Sequence, residues 1–249
     1  LALDKLGNRY FIKQQFEFAI PALRKLLEIQ PDPELEVERV GKLYDSLKAA
    51  KGKVLPHADD VHFLVRAAVQ LKVDPSKDEV TRKKGLAELE ELARDLATSI
   101  HVQAQKKDDK PLLLEAAAAY HEYLSLFRPK QYAAQMMQNR ADALFSAKDF
   151  PGAARQFEEL ARTLDVEGDK AKDAKGDKPK DPKLSAVAVV SKEQATRTVN
   201  DAKSHEEALY GALLSHFSAL KPGEVEQLNA FEVADARQAL KLLGARYVG

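Results

Sequence analysis

Histidine is the residue type of this chain best suited to metal binding or proton transfer. A zinc protease helix carries two histidines four positions apart, with a glutamate directly after the first. His121 and His205 are each followed by a glutamate but lack the second histidine, and His57 and His62 straddle a predicted loop-to-helix boundary. The spacing therefore favours surface or partly buried histidines and predicts no metal site. The full set of six is His57, His62, His101, His121, His205 and His216.

Three pairs of adjacent glutamates are the other candidates for catalysis. General acid–base chemistry needs two carboxyl groups that converge on one point with separated pKa values. Adjacent residues of a helix do not face each other, so these pairs are typical of solvated charged faces. The sequence also lacks a glycine-rich phosphate loop and a G-x-S-x-G elbow. We therefore expect neither an enzyme nor a cofactor. The pairs are Glu90–Glu91, Glu158–Glu159 and Glu206–Glu207.

Composition restricts the class of protein further. The chain has no cysteine, which excludes disulfides, thiolate zinc sites and cysteine nucleophiles. Lys plus Arg and Asp plus Glu both number 39, so the basic excess that displaces counterions from nucleic acid is missing. No apolar run reaches the roughly 18 residues of a membrane span, and an upstream lipid anchor stays open. The start at Leu1 favours a mature or trimmed fragment.

Helical periodicity covers nearly the whole chain outside one segment. Capping boxes are predicted at Ser76, Ser191 and Ser204, each followed three positions later by Glu or Gln. Asp59 or Asp60 is the predicted cap of another helix. The pattern predicts about ten helices in five antiparallel pairs. Their predicted ranges are 2–13, 16–29, 34–50, 59–72, 76–105 with a kink or break at Gly85, 111–128, 130–147, 150–164, 205–220 and 224–247.

The segment 165–183 differs in composition from the rest of the chain. It contains no large apolar side chain beyond Val166, so it cannot bury enough surface to offset the entropy of ordering. Its aspartates recur every four residues among lysines, which does not match the alternate spacing of a calcium-binding loop. We predict a flexible linker over 165–183 between a helical array over 1–164 and a C-terminal helical region over 184–249.

Two stretches of the chain repeat one pattern at a spacing of 34 residues. Each repeat has two large apolar positions, a glycine and a tyrosine in the same register. A fixed period of this size predicts stacked structural units. The first unit is Leu3, Leu6, Gly7, Tyr10, Phe16, Ala19, Leu23, Leu26 and Pro31, and the second begins Val37, Val40, Gly41 and Tyr44. A later unit is Met137, Ala141, Leu144, Phe150, Ala153, Phe157 and Leu160, with Arg140 at an expected leucine position.

On these residues the chain resembles the tetratricopeptide repeat family. The resemblance implies an all-α fold in which antiparallel helix hairpins stack into a right-handed superhelix. In that family the glycine and alanine positions are where helices cross closely, so bulky substitutions there are expected to destabilise the fold. Gly41 is expected to lie at such a crossing. Residues 184–249 match weakly and are expected to form degenerate hairpins or a cap.

The resemblance also implies a binding surface, because the first helix of each hairpin lines the concave face in this family. Relatives that clamp a C-terminal carboxylate carry a lysine where this chain has Asp4, and a carboxylate there would repel such a ligand. Phe11 and Phe145 favour an apolar peptide or helix if they point inward, and belong to the core between repeats if they do not. The predicted partner-binding residues are Asp4, Asn8, Phe11, Ile12, Glu38, Lys42, Asp45, Gln138, Asp142 and Phe145.

The sequence therefore predicts a non-catalytic scaffold that binds a partner protein or peptide. With its irregular hairpins and its lysine-rich segment 165–183, it resembles bacterial envelope proteins with such repeats, which serve in secretion, pilus or motility assemblies. A periplasmic or cell-envelope location is expected, with the cytoplasm as the alternative. A helical accessory region of a larger multidomain protein or enzyme is the alternative function, and a nucleic-acid-binding helical repeat is a third. The partner, the pathway and the oligomeric state stay open.

Overall fold

A computed structural model describes the backbone of residues 2–128, 132–173 and 187–248, and the side chains of 2–128, 132–164 and 203–245. These residues form ten α-helices and one 3₁₀ turn, Val225–Gln227, with no strand among them. The all-α prediction is confirmed. The helices are α1 Ala2–Ile12, α2 Phe16–Ile29, α3 Glu36–Ala49, α4 Ala58–Val73, α5 Glu79–Lys107, α6 Lys110–Phe127, α7 Ala133–Ser146, α8 Phe150–Asp173, α9 Val187–Ala219 and α10 Ala230–Val248.

The chain folds as two compact units, Leu1–Met136 and Met137–Gly249. We refer to them as the N-terminal unit and the C-terminal unit. The boundary lies within α7, so the division differs from the predicted one at 165–183. Of that predicted linker, 165–173 is helical backbone because α8 extends to Asp173, and 174–183 lies outside the described residues. Flexibility of the linker stays a prediction.

The N-terminal unit is a stack of three helix hairpins, α1–α2, α3–α4 and α5–α6. Odd-numbered helices contact each other, as when Lys42 Nζ of α3 donates to Asn8 Oδ1 of α1 at 2.6 Å. These two residues are 34 positions apart, which is the repeat spacing. Even-numbered helices also contact each other, since the backbone N–H of Ala58 in α4 donates to Glu115 Oε1 of α6 at 2.8 Å. The unit therefore has one layer of odd helices and one layer of even helices.

The core of this stack is built from leucine, alanine and aromatic side chains that recur at helical spacing. Alanines at the crossings let neighbouring backbones approach, and the larger side chains fill the remaining space. Tyr120 and Tyr123 are fully buried on α6. Other fully buried large side chains are Ile20, Leu23, Leu26, Leu27, Leu43, Leu64, Leu96, Ile100, Leu113 and Phe127.

Arginine–carboxylate pairs add polar contacts between the first two hairpins. Arg24 of α2 donates to both oxygens of Asp60 in α4, with Nε to Oδ1 at 2.8 Å and Nη2 to Oδ2 at 2.7 Å. Within the second hairpin, Arg66 Nε donates to Glu36 Oε1 at 2.6 Å, and Nη2 of the same arginine donates to the carbonyl of Leu27 in the first hairpin at 2.7 Å. The Asp60 and Glu36 side chains are both fully buried. A buried carboxylate is stable only with partners of this kind, so each pair fixes how the helices meet.

The same type of turn connects the two helices in each of three hairpins. Gln14, Asp108 and Lys148 adopt left-handed backbone conformations with φ of 56°, 50° and 67°. In the first hairpin, the N–H of Gln14 donates to the carbonyl of Phe11 and the N–H of the next residue to that of Tyr10. Equivalent pairs of bonds close α5 and α7. This is the Schellman arrangement, which satisfies carbonyl groups that a helix end leaves unpaired.

The glycines of the repeat pattern occupy different environments. A Cβ on Gly7 would lie 3.2 Å from Leu23 Cδ2, so a side chain there would press against Leu23. A Cβ on Gly41 would meet no atom within 4 Å. The expectation of a close crossing at Gly41 is therefore wrong. The predicted break at Gly85 is wrong, because α5 continues through it. A Cβ there would approach Leu71 Cδ2 to 2.6 Å, so the glycine lets α4 and α5 approach closely.

In the C-terminal unit, α9 packs against both α8 and α10. Gly211 of α9 faces the ring of Phe157 in α8, which a Cβ on the glycine would approach to 2.8 Å. Arg140, the residue that departs from the repeat pattern, donates from Nη1 to Gln156 Oε1 at 2.6 Å. A polar pair thus replaces the expected apolar contact between α7 and α8.

Several predicted helix starts are wrong, either because another residue caps the helix or because a helix runs through the predicted start. Asp78, not Ser76, caps α5 and accepts from the backbone N–H of Thr81 at 2.9 Å. Ser191 and Ser204 cap no helix, because α9 runs through both positions. The first residue of α4 is Ala58, and the N-cap is His57. The last helix begins at Ala230 rather than 224. The backbone N–H of Asn229 donates to Glu232 Oε2, and that of Glu232 donates to Asn229 Oδ1, both at 3.0 Å.

Candidate functional site

The layer of odd helices in the N-terminal unit carries seven of the ten predicted binding residues. We call this surface, formed by α1, α3 and α5, the odd face. At one end Asp4 of α1 lies 3.4 Å from Arg39 Nε of α3. Arg39 is nearly buried and also donates from Nη1 to the carbonyl of Gln30 at 3.0 Å. Asp4 is therefore engaged by a cation within the chain.

Asn8, Glu38 and Lys42 form a second cluster on the odd face. Lys42 Nζ donates to Asn8 Oδ1 and also to Glu38 Oε1. The hydrogen bond and the positive charge of Lys42 hold the pKa of Glu38 below its ordinary value. The lysine is thus shared by two acceptors from its own chain and does not present an uncompensated positive charge to a ligand.

A third cluster joins α3 to α5. Tyr44 Oη donates to Asp95 Oδ2 at 3.0 Å, and Lys48 Nζ donates to the same oxygen at 2.9 Å. Burial, assisted by the hydrogen bond to Asp95, raises the pKa of Tyr44 to about 12. The tyrosine is therefore protonated at neutral pH. Its repeat equivalent, Tyr10, instead packs against Phe18 with ring centroids 5.5 Å apart.

The remaining predicted residues of this face differ in exposure. Ile12 is 78% exposed at the end of α1, and Asp45 is exposed on α3. Leu6 and Val37 add exposed apolar surface on the same two helices. Phe11 is half-buried and lies edge-on to Phe16, with ring centroids 6.1 Å apart. Its ring supports the turn of its own hairpin and is only partly available to a partner.

The three predicted residues of α7 lie in the C-terminal unit and are described separately. Gln138 Nε2 donates to Asp142 Oδ1 at 3.1 Å. Burial raises the pKa of Asp142, and the hydrogen bond from Gln138 opposes the rise. Phe145 lies edge-on to Phe150 with ring centroids 5.3 Å apart, which repeats the arrangement of the first hairpin.

Histidine–glutamate pairs are a feature that the sequence analysis missed. His62 Nδ1 of α4 lies 2.9 Å from Glu122 Oε2 of α6. His216 Nε2 of α9 lies 2.8 Å from Glu158 Oε1 of α8. The partners are about 60 positions apart in sequence, so only the fold brings them together. Among the side chains that the structure describes, no three His, Asp or Glu residues come together as a metal site.

Glu90 departs from the expectation of a solvated glutamate. It is only 8% exposed, accepts from Tyr123 Oη at 2.6 Å and contacts Arg94 Nε at 3.2 Å. Burial, followed by the hydrogen bond to Glu90, raises the pKa of Tyr123. Arg94 also stacks over the ring of Tyr132, 4.0 Å from its centroid. The buried Tyr123–Glu90 hydrogen bond therefore joins α6 to α5 in the core of the hairpin.

Comparisons with known proteins add no identification. No protein-family model, no curated protein and no solved structure matches this chain. Within the described ranges, no helix combines the length and apolar character that crossing a membrane requires.

Proposed function

We propose that this protein is a non-catalytic scaffold that binds a partner protein or peptide on its odd face. The observation that carries the proposal is that hydrogen bonds and ion pairs between polar side chains join α1 to α3 and α3 to α5. Binding surfaces placed on rigid helices lose little conformational entropy when a partner docks. The proposal includes the right-handed superhelix that the family resemblance implies, with this face on its concave side.

The chemistry of the odd face favours an apolar or amphipathic partner segment. Charged groups of this face pair with opposite charges of the same chain, as in the Asp4–Arg39 and Glu38–Lys42 pairs. A charged ligand would have to displace these pairs, whereas an apolar one could cover Ile12 at little cost. Gln138, Asp142 and Phe145 of the C-terminal unit stay a separate prediction, which rests on their position in the repeat pattern. An assembly of the bacterial cell envelope is the proposed setting, by analogy with proteins of similar style.

Site-specific photo-cross-linking tests the proposal. A photoreactive phenylalanine analogue replaces Ile12, 78% exposed on the odd face, and in a matched control replaces Val73, 73% exposed on α4. We expect a discrete cross-linked partner from position 12 and none from position 73, when the full chain is expressed in its native host. The Lys42→Ala variant should still give the adduct, because Lys42 is engaged within the chain.

Two results would contradict the proposal. Identical adducts from both positions would show contact without preference for the odd face. Absence of any adduct from position 12, while other exposed positions of the chain yield one, would place the partner elsewhere.

A further inference from the structure

The C-terminal unit contains a cleft between α8 and α10. Both helices pack against α9, and the space left between them has a volume of about 560 Å³. Glu158, Ala161 and Arg162 of α8 form one wall, and Leu209 of α9 contributes to the floor. This cleft shares no residue with the odd face, so it is independent of the function proposed above.

One continuous stripe of α10 forms the other wall. Its lining residues begin at Asp235 and end at Leu243, at the spacing of three and four that defines one side of a helix. At about 1.5 Å per residue this stripe is about 12 Å long, which matches roughly two turns of a second helix laid beside it. The cleft is therefore elongated along the helix axis.

The lining combines apolar side chains with charged ones. Ala161 is buried, and with Ala239 on the opposite wall it leaves room for a helix to approach closely. Leu242 is 62% exposed although it lines the cleft, so an apolar occupant would remove it from water. A groove of this kind accepts the apolar side of an amphipathic helix.

Charge narrows the identity of the occupant. The wall on α8 carries Arg162, whose Nε donates to the carbonyl of Glu158 at 3.2 Å, and the wall on α10 carries Asp235. The carboxylate of Glu158 is engaged by His216, which together with the nearby arginines lowers the pKa of that glutamate. The groups left to face an occupant are therefore the remaining donors of Arg162 on one wall and the carboxylate of Asp235 on the other.

We propose that this cleft binds an amphipathic helix of a partner protein, with an acidic residue facing Arg162 and a basic residue facing Asp235. The apolar side of that helix covers Leu209 and Leu242. Opposite charges on the two walls favour one orientation of the bound helix.

A display library of amphipathic helical peptides, with randomised residues at both edges of an apolar stripe, tests this assignment. Selection on the wild-type full chain should enrich peptides with an acidic and a basic edge. Selection on the Arg162→Glu/Asp235→Lys variant should enrich the reversed arrangement. Each enriched peptide should bind its own target at least about tenfold more tightly than the other, measured by fluorescence anisotropy.

The Ala239→Trp variant fills the cleft and should weaken the selected peptides by at least about tenfold. Phe231→Glu is the matched control, because Phe231 is 79% exposed on the same helix outside the cleft, and it should leave binding unchanged. Far-UV circular dichroism verifies that each variant is folded.

Failure to enrich any peptide overturns the proposal, as does equal binding to Ala239→Trp. Binding of a fatty-acid probe without peptide enrichment would assign the cleft to a small amphiphile. Self-association of the wild type that Ala239→Trp abolishes would assign it to a second copy of the chain. Either assignment replaces the partner helix proposed above.

Discussion

Replacing Asp60 with alanine is the most informative single perturbation of the N-terminal unit. The carboxylate is fully buried and accepts two hydrogen bonds from Arg24, one on each oxygen. It also accepts from the backbone N–H of His57 at 2.8 Å and so closes the first turn of α4. The substitution removes all three bonds and leaves the guanidinium without its anion.

The magnitude follows from what is left unpaired. Breaking a buried ion pair by removing one partner costs about 3–5 kcal/mol, because the other charge loses its compensation. The Arg24 side chain keeps 22% of its surface exposed and also donates to the carbonyl of Leu55 at 2.8 Å, so the low end applies. Loss of the bond at the helix start adds about 1 kcal/mol. We expect the free energy of unfolding to fall by about 3–4 kcal/mol.

Urea unfolding followed by far-UV circular dichroism measures this loss. Asp59→Ala is the control, since Asp59 lies in the same helical turn but is exposed. The free energy of unfolding of that variant should fall by no more than about 1 kcal/mol, which is the size of a charge interaction with the helix dipole. For the 136 residues of the N-terminal unit, the Asp60→Ala loss corresponds to a Tm lower by about 10 °C. Equal losses for the two variants, or a loss below about 1 kcal/mol for Asp60→Ala, would refute the assigned role of the buried pair.

Three further predictions use urea midpoints of the same kind. Gly41→Ala should raise the free energy of unfolding by about 0.5–1 kcal/mol through helix propensity. Gly7→Leu should lower it by about 1–3 kcal/mol through overpacking against Leu23. Changes of the same sign in both variants would contradict the environments assigned to the two glycines. Gly211→Ala should cost about 1–3 kcal/mol, because three ring atoms of Phe157 lie within 2.9 Å of the new Cβ, and an unchanged midpoint would show that the ring moves aside. Burial lowers the pKa of His101, so the unfolded chain binds the proton more readily and stability should fall as the pH drops below about 6.5. His101→Gln should lose this component, and identical pH profiles of variant and wild type would exclude it.

Local signals in the sequence predicted the hairpins well where a helix end depends on its own residues. The bounds of α2 agree because the apolar pattern starts at Phe16 and Pro31 follows the helix. The start of α10 was predicted too early, at 224 instead of Ala230. The Asn229–Glu232 capping box was the correct signal, and it was available in the sequence.

Contacts between hairpins could not be read from the sequence in the same way. The repeat register placed Asn8 and Lys42 at equivalent positions, and the structure brings them into direct contact. The same register failed for Gly41, because the environment of a repeat position depends on the neighbouring helix. Nothing local pairs His62 with Glu122, since each residue alone is typical of a surface helix.

The polar contacts that join successive hairpins of the N-terminal unit are chemically different from one another. Between the first two hairpins they include arginine–carboxylate pairs such as Arg24–Asp60. Between the second and third they include His62 with Glu122 and Tyr44 with Asp95. The hairpins are therefore not interchangeable modules. A recombinant chain with the same hairpins in another order would bring mismatched groups together and leave Asp60 without a cation, so the order of the repeats is itself encoded.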